Sequence, residues 1–198
     1  TEGLIRDLVI SDGGSSDSTA DLAEELGAIW VEGPAGRGGQ IARAVAKTTA
    51  PWLLILHADT HLSEGWPDAV RTHMNTHPDA AGYFRLRFRA EGFVPRFVES
   101  GANIRARYLG LPYGDQGLLI TQELLAGIGG YPDLPLMEDV AVVDRLKGRL
   151  VRLEGTALTS AERYQKDGWA RRIARNLGTL LRYRLGKDPA ELVARYER

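Results

Sequence analysis

Acidic side chains gather into three short clusters, in the order Ser11-Asp12-Gly13-Gly14-Ser15-Ser16-Asp17, His57-Ala58-Asp59 and Met137-Glu138-Asp139-Val140. Carboxylates placed this way can ligate a hard divalent ion, accept hydrogen bonds from a ligand, or take a proton from a hydroxyl. Each cluster falls where an apolar run ends, at the mouth of a sheet, which is where open α/β folds bind ligands. Asp59 is the clearest case. It closes the run Pro51-Trp52-Leu53-Leu54-Ile55-Leu56, and His57, two residues earlier on an extended backbone, would face the same side. The two would offer an oxygen and an imidazole to one ligand, and Mg²⁺ or Mn²⁺ beside a diphosphate suits such a pair. The plainer reading is a turn-capping aspartate next to a packed histidine.

Asp12 and Asp17 flank two glycines and two serines. Gly13 lets a backbone approach a ligand closely, and the start of the following helix can bind an anion, so a nucleotide fits this loop. Arg37, within Gly36-Arg37-Gly38-Gly39-Gln40, suits a phosphate. An ordinary Asp-Gly turn and a solvated arginine are the alternatives. Glu138 and Asp139 open a helix, where the macrodipole favours negative charge with or without chemistry. As a functional pair, Asp139 is a general base with Glu138 held beside it. Pro112-Tyr113-Gly114-Asp115-Gln116-Gly117 is polar for a loop entering an apolar strand, which makes Gly114, Asp115 and Gln116 candidates for substrate contact rather than a bare surface turn.

The elements that must position these residues follow from the apolar pattern. Strands are expected at Leu4–Ile10, Ala28–Glu32, Pro51–Leu56, Ala81–Arg89, Leu118–Thr121 and Leu150–Glu154. Helices are expected at Ser16–Gly27, Gln40–Thr48, Pro67–His77, Gln122–Ile128, Glu138–Lys147 and Trp169–Leu185, while Glu99–Leu109 is ambiguous. Alternating strands and helices predict an α/β layered fold, and the segment from Ala81 to Thr121 predicts a mixed sheet. With 198 residues, 43% of them hydrophobic, residues 1–198 can bury one core and read as a single domain, 161–198 being its C-terminal helical segment. Lys+Arg (25) nearly balances Asp+Glu (26), so bulk charge does not point to nucleic acid. The lack of cysteine removes disulfides, thiolate ligands and cysteine nucleophiles. No apolar stretch approaches the roughly 20 residues of a spanning helix and no signal peptide is visible, so a soluble, cytoplasmic chain is expected.

Taken together, the motifs resemble family 2 glycosyltransferases of the GT-A fold, a Rossmann-like mixed β-sheet flanked by helices. Ser11 to Thr19 is similar to the nucleotide-side DGSxDxT element, His57-Ala58-Asp59 to the metal-binding DxD, and Met137-Glu138-Asp139 to the element carrying the catalytic base. The runs GRGGQ, LHADT, PYGDQG and GGYPDLPLMEDV, with Thr159-Ser160, resemble the rSAM/selenodomain-associated transferase 2 subgroup. The resemblance implies inverting transfer of a sugar from a nucleoside diphosphate sugar donor to a small-molecule or lipid-linked acceptor. Asp139 would be the base, with Glu138 as its partner. Asp12, Gly13, Asp17, Arg37, His57 and Asp59 would lie on the nucleotide, and Gly114, Asp115 and Gln116 near sugar or acceptor. The implied cofactor is a divalent metal, Mn²⁺ or Mg²⁺, on Asp59. Two departures stand out. His57 replaces the first acid of the DxD, and family members begin with one more strand, ending in a Pro-x-x-Asn-Glu-type loop, so a chain trimmed before Thr1 is expected. A nucleotidyltransferase of related fold and a non-catalytic nucleotide- or sugar-binding domain stay open as alternatives.

Trp169, Ile173, Leu177, Leu180 and Leu181 recur at helical spacing among Arg171, Arg172, Arg175, Arg182 and Arg184. Packing of this stripe on its own domain, or on a second subunit in a homodimer, is preferred here over contact with an anionic membrane.

Overall fold

The chain alternates strands and helices from its first acidic cluster onward. The computed structural model describes residues 3–196. Strand β1 (Val9–Asp12) leads through the acidic loop to helix α1 (Thr19–Glu25), and strand β2 (Ile29–Glu32) pairs parallel to β1. Helix α2 (Arg37–Val45) follows, then β3 (Trp52–Ile55), β4 (Thr60–Leu62), α3 (Trp66–Thr76) and β5 (Ala81–Phe88). The ambiguous segment is a long helix, α4 (Phe93–Leu109). A 3₁₀ turn over Gly114–Gln116 enters β6 (Leu118–Thr121), followed by α5 (Gln122–Gly127), α6 (Glu138–Arg145) and β7 (Leu150–Thr159). Helices α7 (Glu162–Asp167), α8 (Trp169–Arg184) and α9 (Pro189–Tyr196) complete the described chain.

The mixed sheet expected from the sequence is present. Its order is β3-β6-β5-β7-β4, with β5 and β7 parallel and the other neighbours antiparallel, while β1 and β2 form a separate parallel pair. Alternation along β6 divides the core between two helical layers. Leu118 and Ile120 pack with Leu125, Val142 and Leu146 of the α5–α6 side, whereas Leu119 joins Phe84, Leu153 and Val70 of α3.

Several boundaries differ from expectation for identifiable reasons. The first strand begins at Val9 rather than Leu4, Leu4 packing instead against the cluster of Val70, Phe84 and Leu119, and it extends to include Asp12. Helix α2 starts at Arg37, because the glycines that read as a loop occupy its first turn. There Gly38 donates to Leu134 O at 3.1 Å, an approach that a side chain would block. Strand β7 runs on to Thr159, bringing Thr159 beside Thr60 in the β4 pairing.

Helix α4 also completes the sheet. Beyond Gly82, β5 has no strand on its β6 side, and α4 covers that edge with side chains. Asn103 accepts from Leu86 N (2.9 Å) and donates to Leu86 O (3.1 Å), while Glu99 accepts from Phe88 N (2.9 Å). Glu99 is buried, and Arg96 at 2.6 Å and Arg87 at 3.7 Å supply its counter-charge.

Two glycines give opposite expectations. A Cβ on Gly38 would lie 2.2 Å from Pro132 O and 2.6 Å from Leu134 N and O, all backbone atoms. Gly38→Ala is therefore expected to destabilise by about 1–3 kcal/mol through forced separation of α2 from the 132–134 loop. Gly101 lies within α4 with open space where its Cβ would be, so Gly101→Ala should stabilise by roughly 0.5–1 kcal/mol. Urea unfolding midpoints of the two variants check both signs.

Candidate functional site

The end of β3, the Gly114 turn and the start of α6 meet at one point. His57 packs so closely on Gly114 that a Cβ there would sit 2.3 Å from His57 Nε2. From the other side, Gly114 N donates to Asp139 Oδ2 at 2.8 Å, and Val140 N donates to Asp139 Oδ1 at 2.7 Å. The Asp139 carboxylate is thus held in one orientation by two backbone amides, with lone pairs left on both oxygens. It opens on a cavity of about 630 Å³ that Arg37, His57, Asp59 and Asp115 also line.

The backbone turns at Ala58-Asp59 instead of staying extended, closed by Thr60 N donating to His57 O at 3.0 Å. Asp59 is exposed, and its Oδ1 meets the hydroxyls of Thr60 and Thr159, each at 3.4 Å. That leaves it ample capacity to ligate a cation. Among the described residues no group of three His, Asp or Glu side chains could hold a metal ion unaided. A divalent ion at Asp59 would need oxygens from a bound ligand, as hard ions accept from a diphosphate.

Asp115 has its Oδ1 buried without a hydrogen-bond partner. Burial raises its pKa, with Arg105 and His57 opposing and the Asp139 and Asp59 charges adding to the rise. Gln116 is fully buried and has a structural task. It donates to Phe84 O at 3.0 Å and accepts from Tyr113 N at 3.4 Å, pinning the Gly114 turn to β5. Glu138 is 1% exposed with both carboxylate oxygens unpartnered. Burial, and then repulsion from Asp139, push its pKa up to about 7, with Arg37 pulling the other way. Met137, which precedes it, takes a left-handed conformation (φ 64°), uncommon for a non-glycine residue, at the entry to α6.

The first acidic cluster stands apart from this cavity. Asp12 Oδ2 accepts from Gly14 N and Ser15 N, both at 2.7 Å, and Oδ1 accepts from the Ser15 hydroxyl at 2.5 Å. These bonds hold its pKa below the usual carboxylate range. Asp17 is likewise lowered by the Thr19 hydroxyl and amide. Asp12, Gly13 and Asp17 do not line the cavity. Gln40 bridges the two regions, donating to Ser11 O (2.9 Å) and accepting from Gly36 N (3.2 Å), which ties the acidic loop to the Arg37 turn.

Three side chains here had no signal in the sequence. Arg105 lies flat over the Tyr113 ring, its guanidinium carbon 3.4 Å from the centroid, and its Nε donates to Leu111 O at 2.9 Å. Arg172 is buried, donating to Asp167 at 3.2 Å and to the Tyr196 hydroxyl at 2.6 Å. Arg37 lies 5.7 Å from the Tyr196 ring centroid. The polar neighbourhood of Tyr113 was a local signal in the sequence. Nothing local marks Arg105, Arg172 or Tyr196.

A family model described as Glycosyl transferase family 2 matches residues 3–124. No curated protein matches the chain. Among solved structures, the chain is similar to glucosyl-3-phosphoglycerate synthase from Mycobacterium tuberculosis in complex with Mn²⁺, UDP-glucose and glycerol 3-phosphate. Identity is 20%, coverage 81% of this chain and 61% of that one, and the TM-score 0.50. It is also similar to S. aureus TarS in complex with UDP, at 15% identity, with 81% and 53% coverage and a TM-score of 0.57. The chain thus spans less than two thirds of these proteins, and at such identities the likeness establishes the fold.

The Glu138 carboxyl makes a pH prediction. Its folded pKa, about 7, lies above the ordinary value of 4.5, so the folded state binds the proton more tightly than the unfolded state. Its contribution is most favourable below about pH 4.5 and is lost progressively as pH rises to about 7. Glu138→Gln should therefore gain stability relative to wild type across that window, by roughly 2–3 kcal/mol, and the difference should level off above it. Urea unfolding of both proteins between pH 4.5 and 8 measures the slope, and parallel curves would refute the assignment.

Proposed function

The chain belongs to glycosyl transferase family 2, and on that premise we propose that it moves a sugar from a nucleoside diphosphate sugar to a hydroxyl-bearing acceptor with inversion at the anomeric carbon. Its mixed α/β architecture is the GT-A fold. The observation that carries the proposal is the convergence of Asp139, Asp115, Asp59 and Arg37 on one cavity, with Asp139 oriented by two amides.

Inversion needs one displacement and one base. Asp139 fills that role, because both its oxygens are fixed and neither is consumed by a cationic side chain. It takes the acceptor's proton as the acceptor oxygen attacks the anomeric carbon and the bond to the diphosphate breaks. Glu138, buried beside it with both oxygens unpartnered, holds its own proton more tightly because of that burial and the Asp139 charge, and so leaves Asp139 as the ionised member of the pair. Arg37 faces the diphosphate from the start of α2, where the helix N-terminus adds its partial positive charge. The loop of Asp12, Gly13 and Asp17, outside the cavity and tied to the Arg37 turn through Gln40, is assigned to the base and ribose, and Asp115 forms the wall next to the sugar, its turn pinned from behind by the buried Gln116. His57 buttresses that wall by packing on Gly114. A Mn²⁺ or Mg²⁺ ion held between Asp59 and the donor would offset charge on the departing diphosphate. The related structures with Mn²⁺ and UDP-glucose, and with UDP, support this choice of donor chemistry.

Calorimetric titration with UDP and GDP, with and without Mn²⁺, tests the reading. One nucleotide should bind in a metal-dependent manner, and Asp59→Ala should abolish the metal dependence. Asp139→Asn should bind that nucleotide normally yet release it from its sugar donor about 10²–10⁴-fold more slowly, with water as the acceptor. Wild-type turnover in Asp139→Asn would remove Asp139 as base. Failure of wild type to bind either nucleotide would remove the donor assignment.

A further inference from the structure

The cavity has two chemically different ends. One end carries Asp59, Asp115 and Asp139. From there it continues between α4 and α8, where Phe97, Ala102 and Leu109 face Ile173, Leu177 and Leu180. Catalysis by the acids makes no use of this second half. Its rim is also unusually apolar for a surface: Phe97 is 68% exposed and Leu109 67%, and Leu177 is 57% exposed on the facing helix. An apolar patch of this kind, continuous with a reaction centre, marks a binding surface.

Charge along the same walls narrows the occupant. Helix α8 carries Arg171, Arg172, Arg175, Arg182 and Arg184 and no acidic residue, in a chain whose formal net charge is -1. Away from the acids, the cavity lining holds Arg105, Arg163 and Arg172 against a single glutamate, Glu162. Arg172 is already committed to Asp167 and Tyr196. Arg105 is committed only through its Nε and its flat face. The terminal nitrogens of Arg105, and Arg163 as a whole, have no hydrogen-bond or ion-pair partner among the described residues. A ligand that satisfies both features has an aliphatic chain and an anionic head.

We propose that the acceptor is such an amphiphile. Its aliphatic chain lies between α4 and α8, its anionic head meets Arg105 and Arg163, and a separate hydroxyl of the head reaches Asp139, which takes its proton as the oxygen attacks. A small polar acceptor would leave the Phe, Leu and Ile walls wet, whereas an aliphatic chain removes them from water together with itself. This inference rests on the transferase reading, because the orientation it gives the acceptor is defined by Asp139 as base.

The experiment compares dodecyl phosphate, below its micellar concentration, with ethyl phosphate by calorimetry, alongside UDP with Mn²⁺. Dodecyl phosphate should bind at least about 100-fold more tightly, the effect of burying a few methylenes. Phe97→Glu and Leu177→Glu, at exposed positions where folding is not at stake, should each lose about 10-fold or more of that affinity while binding UDP as wild type does. Leu26→Glu, an equally exposed apolar position (55%) on another helix, should change nothing. Equal affinity for the two phosphates, or equal loss in Leu26→Glu, would overturn the proposal. So would a wild-type dimer in sedimentation that Leu177→Glu splits without any chain-length effect, because a second copy would then be the occupant. Intact chain-length dependence in a protein that binds neither UDP nor GDP would instead defeat the transferase reading and leave the groove as an amphiphile site.

Discussion

The absence of a side chain at Gly114 is the constraint on which the site depends. Three distant stretches of chain close on that residue: His57 against its α-carbon, Asp139 on its amide, and Gln116 holding its turn to β5. The Gly114–Asp139 bond spans 25 residues of sequence and joins a loop to a helix start. A backbone donor is well suited to the task, because it cannot rotate away and leaves the carboxylate's other lone pairs for a ligand. Any residue larger than glycine would have to push the His57 imidazole aside.

Electrostatics around this node are unbalanced in an informative way. Glu138 and Asp115 are both raised, chiefly by burial, and Asp139 adds to each through its charge. Arg37 and Arg105 relieve only part of that stress. Carboxylates elsewhere in the molecule are handled differently: Asp12 is bonded through both oxygens within its own loop, Asp17 through Oδ1 alone, and Glu99 has two arginines and a backbone amide. Buried carboxyl oxygens without partners therefore occur next to the cavity, where a cationic or proton-donating ligand would complete them.

The helical segment that follows β7 shapes the cavity as much as the sheet does. Tyr164 and Trp169 stack at 4.9 Å and meet Phe88 edge-on at 5.0 and 5.3 Å, which anchors α7 and α8 to the end of β5. From that anchor α8 runs opposite α4, while Tyr196 of α9 reaches back to Arg172 and Arg37. Part of the stripe on α8 packs on its own domain, as its periodicity suggested, but Leu177 and Leu181 remain exposed.

What the sequence determined by itself was local. Apolar runs ended in acids because strands end where polar loops begin, so the mixed sheet, most helices and the residues Arg37, His57, Asp59, Asp115 and Asp139 were legible from periodicity and motif. Helix α4 was not, because Pro95 and Gly101 interrupt its pattern and its buried Glu99 and Asn103 serve a strand edge instead of a core stripe. The tertiary structure alone decided which residues of a motif face the cavity: Glu138 and Gln116 are buried, and Asp12 is saturated by its own loop, although all three sit in the quoted clusters. It alone brought Arg105, Arg172 and Tyr196 to the same place. Spacing encodes which side of an element a residue occupies. Which elements become neighbours depends on strand order and helix packing, and those are set by burial summed over the whole chain.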